Sequence, residues 1–67
     1  MIIDFEDYDG YYIASIIYDE LPNLMDYITV KAKDKQISGK VISIRKEYNA
    51  IKNSVRAIVK IDDRIPE

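Results

Sequence analysis

Twelve carboxylates, with no histidine and no cysteine, set the chemistry open to this 67-residue chain. Without His the commonest general base is missing, and without Cys the strongest nucleophile. A structural zinc site draws on the same two residue types and has no ligands here. Ser15, Ser38, Ser43 and Ser54 have no paired base that the sequence reveals. With two glycines in the chain there is neither a phosphate-cradling loop nor a dinucleotide fingerprint. The nearest approach to a ligand motif is Asp7-Tyr8-Asp9-Gly10, which has the spacing of the middle of a calcium loop. That loop needs an acid two positions before Asp7 and a Glu seven after Asp9, where Phe5 and Ile16 stand. The stretch therefore reads as a turn with solvated acids. The expectation is a non-enzymatic binding protein with no metal and no cofactor.

The charges are sorted along the chain. Residues 1–26 carry seven acids (Asp4, Glu6, Asp7, Asp9, Asp19, Glu20, Asp26) and no base, for −7. Residues 27–60 carry nine bases against Asp34 and Glu47, for +7. The last seven residues set Asp62, Asp63 and Glu67 against Arg64, for −2. Tyr8, Tyr11, Tyr12, Tyr18 and Tyr27 lie in or beside the acidic third, and Tyr48 alone lies outside it. Tyrosine gives large contact area at low entropic cost and is over-used at interfaces. Asp4, Glu6, Asp7, Tyr8, Asp9, Tyr11 and Tyr12 are thus the candidate partner-binding residues. They would form an acidic, tyrosine-rich surface that docks a basic patch on another protein. A small, cysteine-free, Ile/Lys/Tyr-rich chain of this kind suits a phage or mobile-element inhibitor. Self-association is the second form of protein contact, since chains this short often gain stability by oligomerising. The sorted charge also allows a third outcome, in which −7 and +7 neutralise each other within one molecule or across a dimer.

The rival class is a nucleic-acid module. Lys31, Lys33, Lys40, Arg45, Lys46 and Arg56 lie on neighbouring strands and could track a phosphate backbone. Only Tyr48 and Tyr27 are within reach for base stacking, and the sequence pI is about 5.0. An ordinary solvated lysine face that guards sheet edges explains the same pattern. Gly39-Lys40-Val41-Ile42-Ser43-Ile44, continuing to Tyr48-Asn49, resembles the first motif of Sm-like RNA-binding barrels. Gly39, Val41, Ile44 and Asn49 match that pattern, while Arg45 stands where Asp is expected. The preceding hairpin loop is one residue shorter than usual, and the rest of the chain is too short for the family's second motif. The resemblance implies a small bent-strand barrel, with Asn49 as the nucleotide-contacting residue.

The elements that must carry these residues are strands. Ile, Val, Thr and Tyr outweigh the helix formers Leu and Ala. Tyr27–Lys33 alternates strictly, with Ile28, Val30 and Ala32 on one face. After a turn at Asp34–Gln36, a strand runs from Ile37 to about Tyr48. Its apolar phase switches at Val41/Ile42, which predicts a bulge or sharp bend beside Gly39. Asn49 to Ser54 reads as a turn. Val55–Asp62 follows with Val55, Ala57, Val59 and Ile61 on one face. Asp9-Gly10 between Ile2–Tyr8 and Tyr11–Tyr18 signals a type I′ hairpin with Tyr8 opposite Tyr11, and Ile3 and Phe5 facing with Ala14 and Ile16. A helix over Tyr11–Glu20, capped by Asp9 and stopped before Pro22, competes with the second of these strands. Its β-branched and aromatic density favours the strand.

These elements form a single domain over 1–67. The expected fold is an all-β bent sheet or SH3/OB-like barrel of about five short strands. The alternative is an α+β fold with one N-terminal helix on a three-stranded antiparallel meander. Acids at Asp4, Glu6, Asp7 and Asp9 argue against a secretory signal. The longest apolar run, Tyr11–Tyr18, is broken by Ser15 and falls short of a bilayer span. The expected location is the cytoplasm.

Overall fold

Period-2 alternation builds five strands, and no helix, over the residues 1–64 described by the computed structural model. They are β1 (Ile2–Glu6), β2 (Tyr12–Ile17), β3 (Tyr27–Lys31), β4 (Gln36–Asn49) and β5 (Ser54–Asp62). Pro66 and Glu67 lie outside the described residues. The strands form one sheet in the order β2-β1-β5-β4-β3. Every neighbouring pair is antiparallel except β1 and β5, which run parallel. The sheet curls into a small barrel that is nearly closed. Its open seam separates β2 from β3, the two edges that share no ladder. An up-and-down path with an odd number of strands requires this: the first and last strands point the same way when they meet.

The inward residues of four strands and the β2 bulge make the core. Ile3 and Phe5 of β1, Ile13 of β2, Val30 of β3, Val41 of β4, and Ala57, Val59 and Ile61 of β5 are buried. Ile28, Ile37, Ile44 and Leu21 pack around them, half-buried.

β4 lets one short chain close a barrel. It pairs with β3 through residues 36–40 and with β5 through 40–49, so the two ladders overlap at Lys40 alone. The strand turns where they meet. Val41 opposes Ile61 and Ser43 opposes Lys60, leaving Ile42 as the extra, bulged residue. This is the bend that the phase switch at Val41/Ile42 predicts. Gly39 lies against β5 so closely that an added Cβ would strike the Asp62 carbonyl oxygen and come within 2.5 Å of Ile61 Cγ2.

The N-terminal segment is the hairpin, and the helix over Tyr11–Glu20 does not form. β2 gains a full ladder with β1, which also brings Ile13 into the core. The turn differs from the expected two-residue type I′. Gly10 N–H donates to the Asp7 carbonyl at 3.0 Å, and Asp7 N–H donates to the Tyr11 carbonyl at 2.9 Å. The loop is therefore Tyr8-Asp9-Gly10, with Gly10 in the left-handed region at φ 89°. The extra loop residue is offset by a bulge at Ile13, since Phe5 opposes Ala14 but Glu6 opposes Tyr12. Beyond the bulge the expected register holds, with Ile3 opposite Ile16. The Asp7 carboxylate favours the longer loop, because its Oδ1 accepts the Tyr11 N–H at 2.9 Å.

Candidate functional site: the tyrosine hairpin and the basic arm

The sorted charge is partly self-satisfied. β1 and β5 are parallel neighbours, so their outward residues lie side by side. Asp4 Oδ2 meets Arg56 Nε at 3.3 Å, and Glu6 Oε1 meets Lys60 Nζ at 3.7 Å. Asp4 also accepts a hydrogen bond from Ser15, whose hydroxyl contacts Tyr12 Oη at 2.8 Å. Two of the candidate docking acids thus belong to an ion-pair row on the barrel wall.

The remaining candidates form the end of the β1–β2 hairpin. Asp7 is engaged by the backbone of Tyr11. Asp9 and Tyr8 are exposed, and Tyr11 and Tyr12 expose 71% and 61% of their surface. The tip is held from behind by the chain leaving β5. Arg64 lays its guanidinium over the Tyr8 ring, 3.2 Å from the centroid. The same guanidinium donates to both oxygens of Asp62, at 3.0 and 3.1 Å, while Arg64 N–H donates to Oδ1 at 3.1 Å. Asp62 is 4% exposed and its polar atoms are satisfied. The Arg64 side-chain hydrogen bonds hold the Asp62 carboxyl below the usual aspartate range, against the opposing effect of burial. Arg64 is raised in turn, chiefly by those bonds to Asp62.

The basic candidates do not share one patch. Lys31 and Lys33 lie at the β3–β4 turn, while Arg45, Lys46, Asn49 and Arg56 lie toward the β4–β5 turn. The intervening length of β4, from Gln36 to Arg45, is about 30 Å of chain at strand rise, in a molecule whose longest extent is 40 Å. Lys40 is half-buried between them, opposite Tyr27 and Asp62. The second cluster sits on a two-stranded arm. β4 beyond Val41 has no partner on its β3 side, and β5 before Arg56 has none on its β1 side. Lys46, Tyr48 and Val55 occupy inward positions of the pattern, yet Lys46 and Tyr48 are exposed because the arm projects past the barrel. Ile51 at its tip is 97% exposed. The arm flanks an open groove of about 650 Å³ lined by Ile2, Glu47, Tyr48, Lys52, Val55 and Arg56 among others. Asn49 Oδ1 accepts from Ile51 and Lys52 N–H at 3.1 and 3.0 Å and shapes the turn. Arg45 lies 3.9 Å from Glu47 across the exposed face.

Sequence inspection does not single out Arg64, Ile16 or Ile17. For the two isoleucines a signal exists: no charge occurs between Gly10 and Tyr18. For Arg64 there is none, because its stacking on Tyr8 joins residues far apart in the chain. Among the described residues no helix is long and apolar enough to cross a membrane. No family model, curated protein or solved structure matches this chain.

Proposed function

We propose that this is a non-enzymatic protein that acts by protein–protein contact, with the end of the β1–β2 hairpin as its docking surface. The observation that carries this reading is a rigid aromatic tip. Tyr11 leaves a turn tied by two backbone bonds and by Asp7, Tyr12 opens β2 with its hydroxyl on Ser15, and Arg64 stacks on Tyr8 beside them. Exposed aromatics on a preorganised loop lose little entropy on binding. Asp9 adds negative charge without an intramolecular partner among the described residues. A partner with a basic, apolar-floored patch complements this tip, as in inhibition of a larger protein.

The test is affinity capture from the native host with mass-spectrometric identification. Tyr11→Ala with Tyr12→Ala and Asp9→Lys is expected to lose the captured protein. Equal recovery by that triple variant, with the fold retained by circular dichroism, refutes the tip as the docking surface.

A second reading rests on the arm. Lys46 shares one face of a projecting β-ribbon with Tyr48, Arg45 and Arg56 lie on the other face, and Lys52 lies in its turn; such ribbons enter nucleic-acid grooves. This reading expects tight RNA or DNA binding that weakens steeply with salt. Its absence at low ionic strength refutes that reading and leaves the hairpin proposal standing.

A further inference from the structure

The barrel has two edges, and they are guarded unequally. β3 carries Lys31 on its edge and is followed by Lys33 and Lys35, the usual protection against strand pairing. β2 carries no charge at all. Its N-terminal part is protected by the Ile13 bulge, so the regular open edge is Ala14–Ile17.

The direction of the backbone groups there follows from the ladder. Met1 and Tyr18 exchange backbone hydrogen bonds, at 3.0 and 3.2 Å. Bonded and non-bonded pairs alternate in an antiparallel ladder, so Ile16 and Ala14 also bond β1. Ser15 and Ile17 therefore aim their N–H and C=O groups into the seam. Across it, among the described residues, the side-chain hydrogen bond is Lys35 Nζ to the Tyr12 carbonyl at 3.4 Å, at the far end of the strand. Among the described residues no strand ladder covers β2 on that side. Ile16 faces inward opposite Ile3, which is 1% exposed, yet Ile16 itself is 44% exposed. Ile17 is 84% exposed.

We infer that β2 pairs antiparallel with β2 of a second copy, about a two-fold axis at Ile16. In that register Ser15 of each copy opposes the partner's Ile17, and the two copies exchange on the order of four backbone hydrogen bonds. Ile16 meets the partner's Ile16 as a non-bonded pair, the closer kind, and both are covered. Like charges do not oppose this contact, because the strand has none. The occupant is a copy of this chain because one register over Ser15–Ile17 pairs every seam-facing backbone group, covers Ile16 of both copies and, with an uncharged strand on each side, brings no like charges together. This inference is independent of the hairpin tip, whose tyrosines it leaves free.

The chain has no cysteine, so an Ile16→Cys variant reports the axis directly. Under a glutathione redox buffer it should form a disulfide dimer, while Thr29→Cys on β3 should remain monomeric. Sedimentation equilibrium on the unmodified protein should show a concentration-dependent dimer. Chemical synthesis with N-methyl-Ile17 removes a seam-facing donor without altering a side chain, and should raise the dimer Kd about tenfold. A single monomeric species up to about millimolar concentration overturns the inference, as does a dimer that N-methylation leaves unchanged. A dimer weakened by N-methylation but not cross-linked through position 16 overturns the register.

Discussion

Gly39→Ala should be among the most damaging single-methyl additions to this protein. The added Cβ would overlap the Asp62 carbonyl oxygen and approach Asp62 C to 2.7 Å and Ile61 Cγ2 to 2.5 Å. Two of those three atoms are backbone, which no rotamer change can move. Relief requires β4 to lift from β5 where Lys40 opposes Asp62 and Val41 opposes Ile61. Both Val41 and Ile61 are fully buried, so the movement also loosens the core. Overpacking of this kind costs about 1–3 kcal/mol, and a backbone collision belongs at the upper end. The gain from replacing a strand glycine is about 0.5–1 kcal/mol, which leaves a net loss of roughly 2 kcal/mol. A domain of this length has roughly 3–10 kcal/mol in total. For 60–100 residues each kcal/mol moves Tm by about 4–8 °C, so the expected fall is about 8–16 °C. Thermal unfolding followed at the far-UV strand signal measures it. A Tm within about 2 °C of the parent would show that β5 can yield at Asp62 at little cost, and the close-approach argument would fail.

Three further outcomes follow. Gly10→Ala meets no neighbouring atom but must hold φ near 89°, so it should cost about 1–2 kcal/mol, read as a lower urea midpoint with unchanged slope. Asp62 has a depressed carboxyl, so its contribution to stability is complete above the unfolded aspartate value of about 3.9 and is lost as pH falls through the lower folded value. Arg64→Gln should flatten that acid limb, and an unaltered slope below about pH 4 would refute the assignment. The Arg56–Asp4 and Lys60–Glu6 pairs are partly exposed, so molar salt should remove at most about 1 kcal/mol of stability between them. A much larger loss would mean that the sorted charge holds the fold together rather than decorating it.

The parts of the fold legible in the sequence are those with local causes. Strict alternation marks β3, and the one-residue phase switch at Val41/Ile42 marks the β4 bulge. The expected facing of Ile3 and Phe5 with Ala14 and Ile16 also holds on the ladder. The hairpin loop is less legible, because Asp-Gly serves both two- and three-residue turns. What selects between them is the bond from Tyr11 N–H to Asp7 and the bulge at Ile13, which buries a residue that alternation alone would turn outward. The closure is not legible at all. Pairing Ile2 with Arg56 joins residues at opposite ends of the chain, and no periodicity encodes it. For that reason the pairing of Asp4 and Glu6 with bases of β5 is hidden in the sequence, where both acids look free to dock. The division of the lysines and arginines between two ends of β4 is hidden likewise. A flat alternating pattern does not show where a strand leaves the barrel.

The parallel meeting of β1 and β5 has a mechanical consequence. The start of β1 and the end of β5 lie at opposite ends of two adjacent, hydrogen-bonded strands. Tension applied between Met1 and Arg64 would therefore slide β1 along β5, loading their ladder bonds together rather than unzipping them one by one. A barrel this small has modest thermal stability to draw on, but in that pulling direction it is built as a shear clamp. In that direction the closing ladder resists as a unit, and the hairpins on either side of it stay paired until it yields.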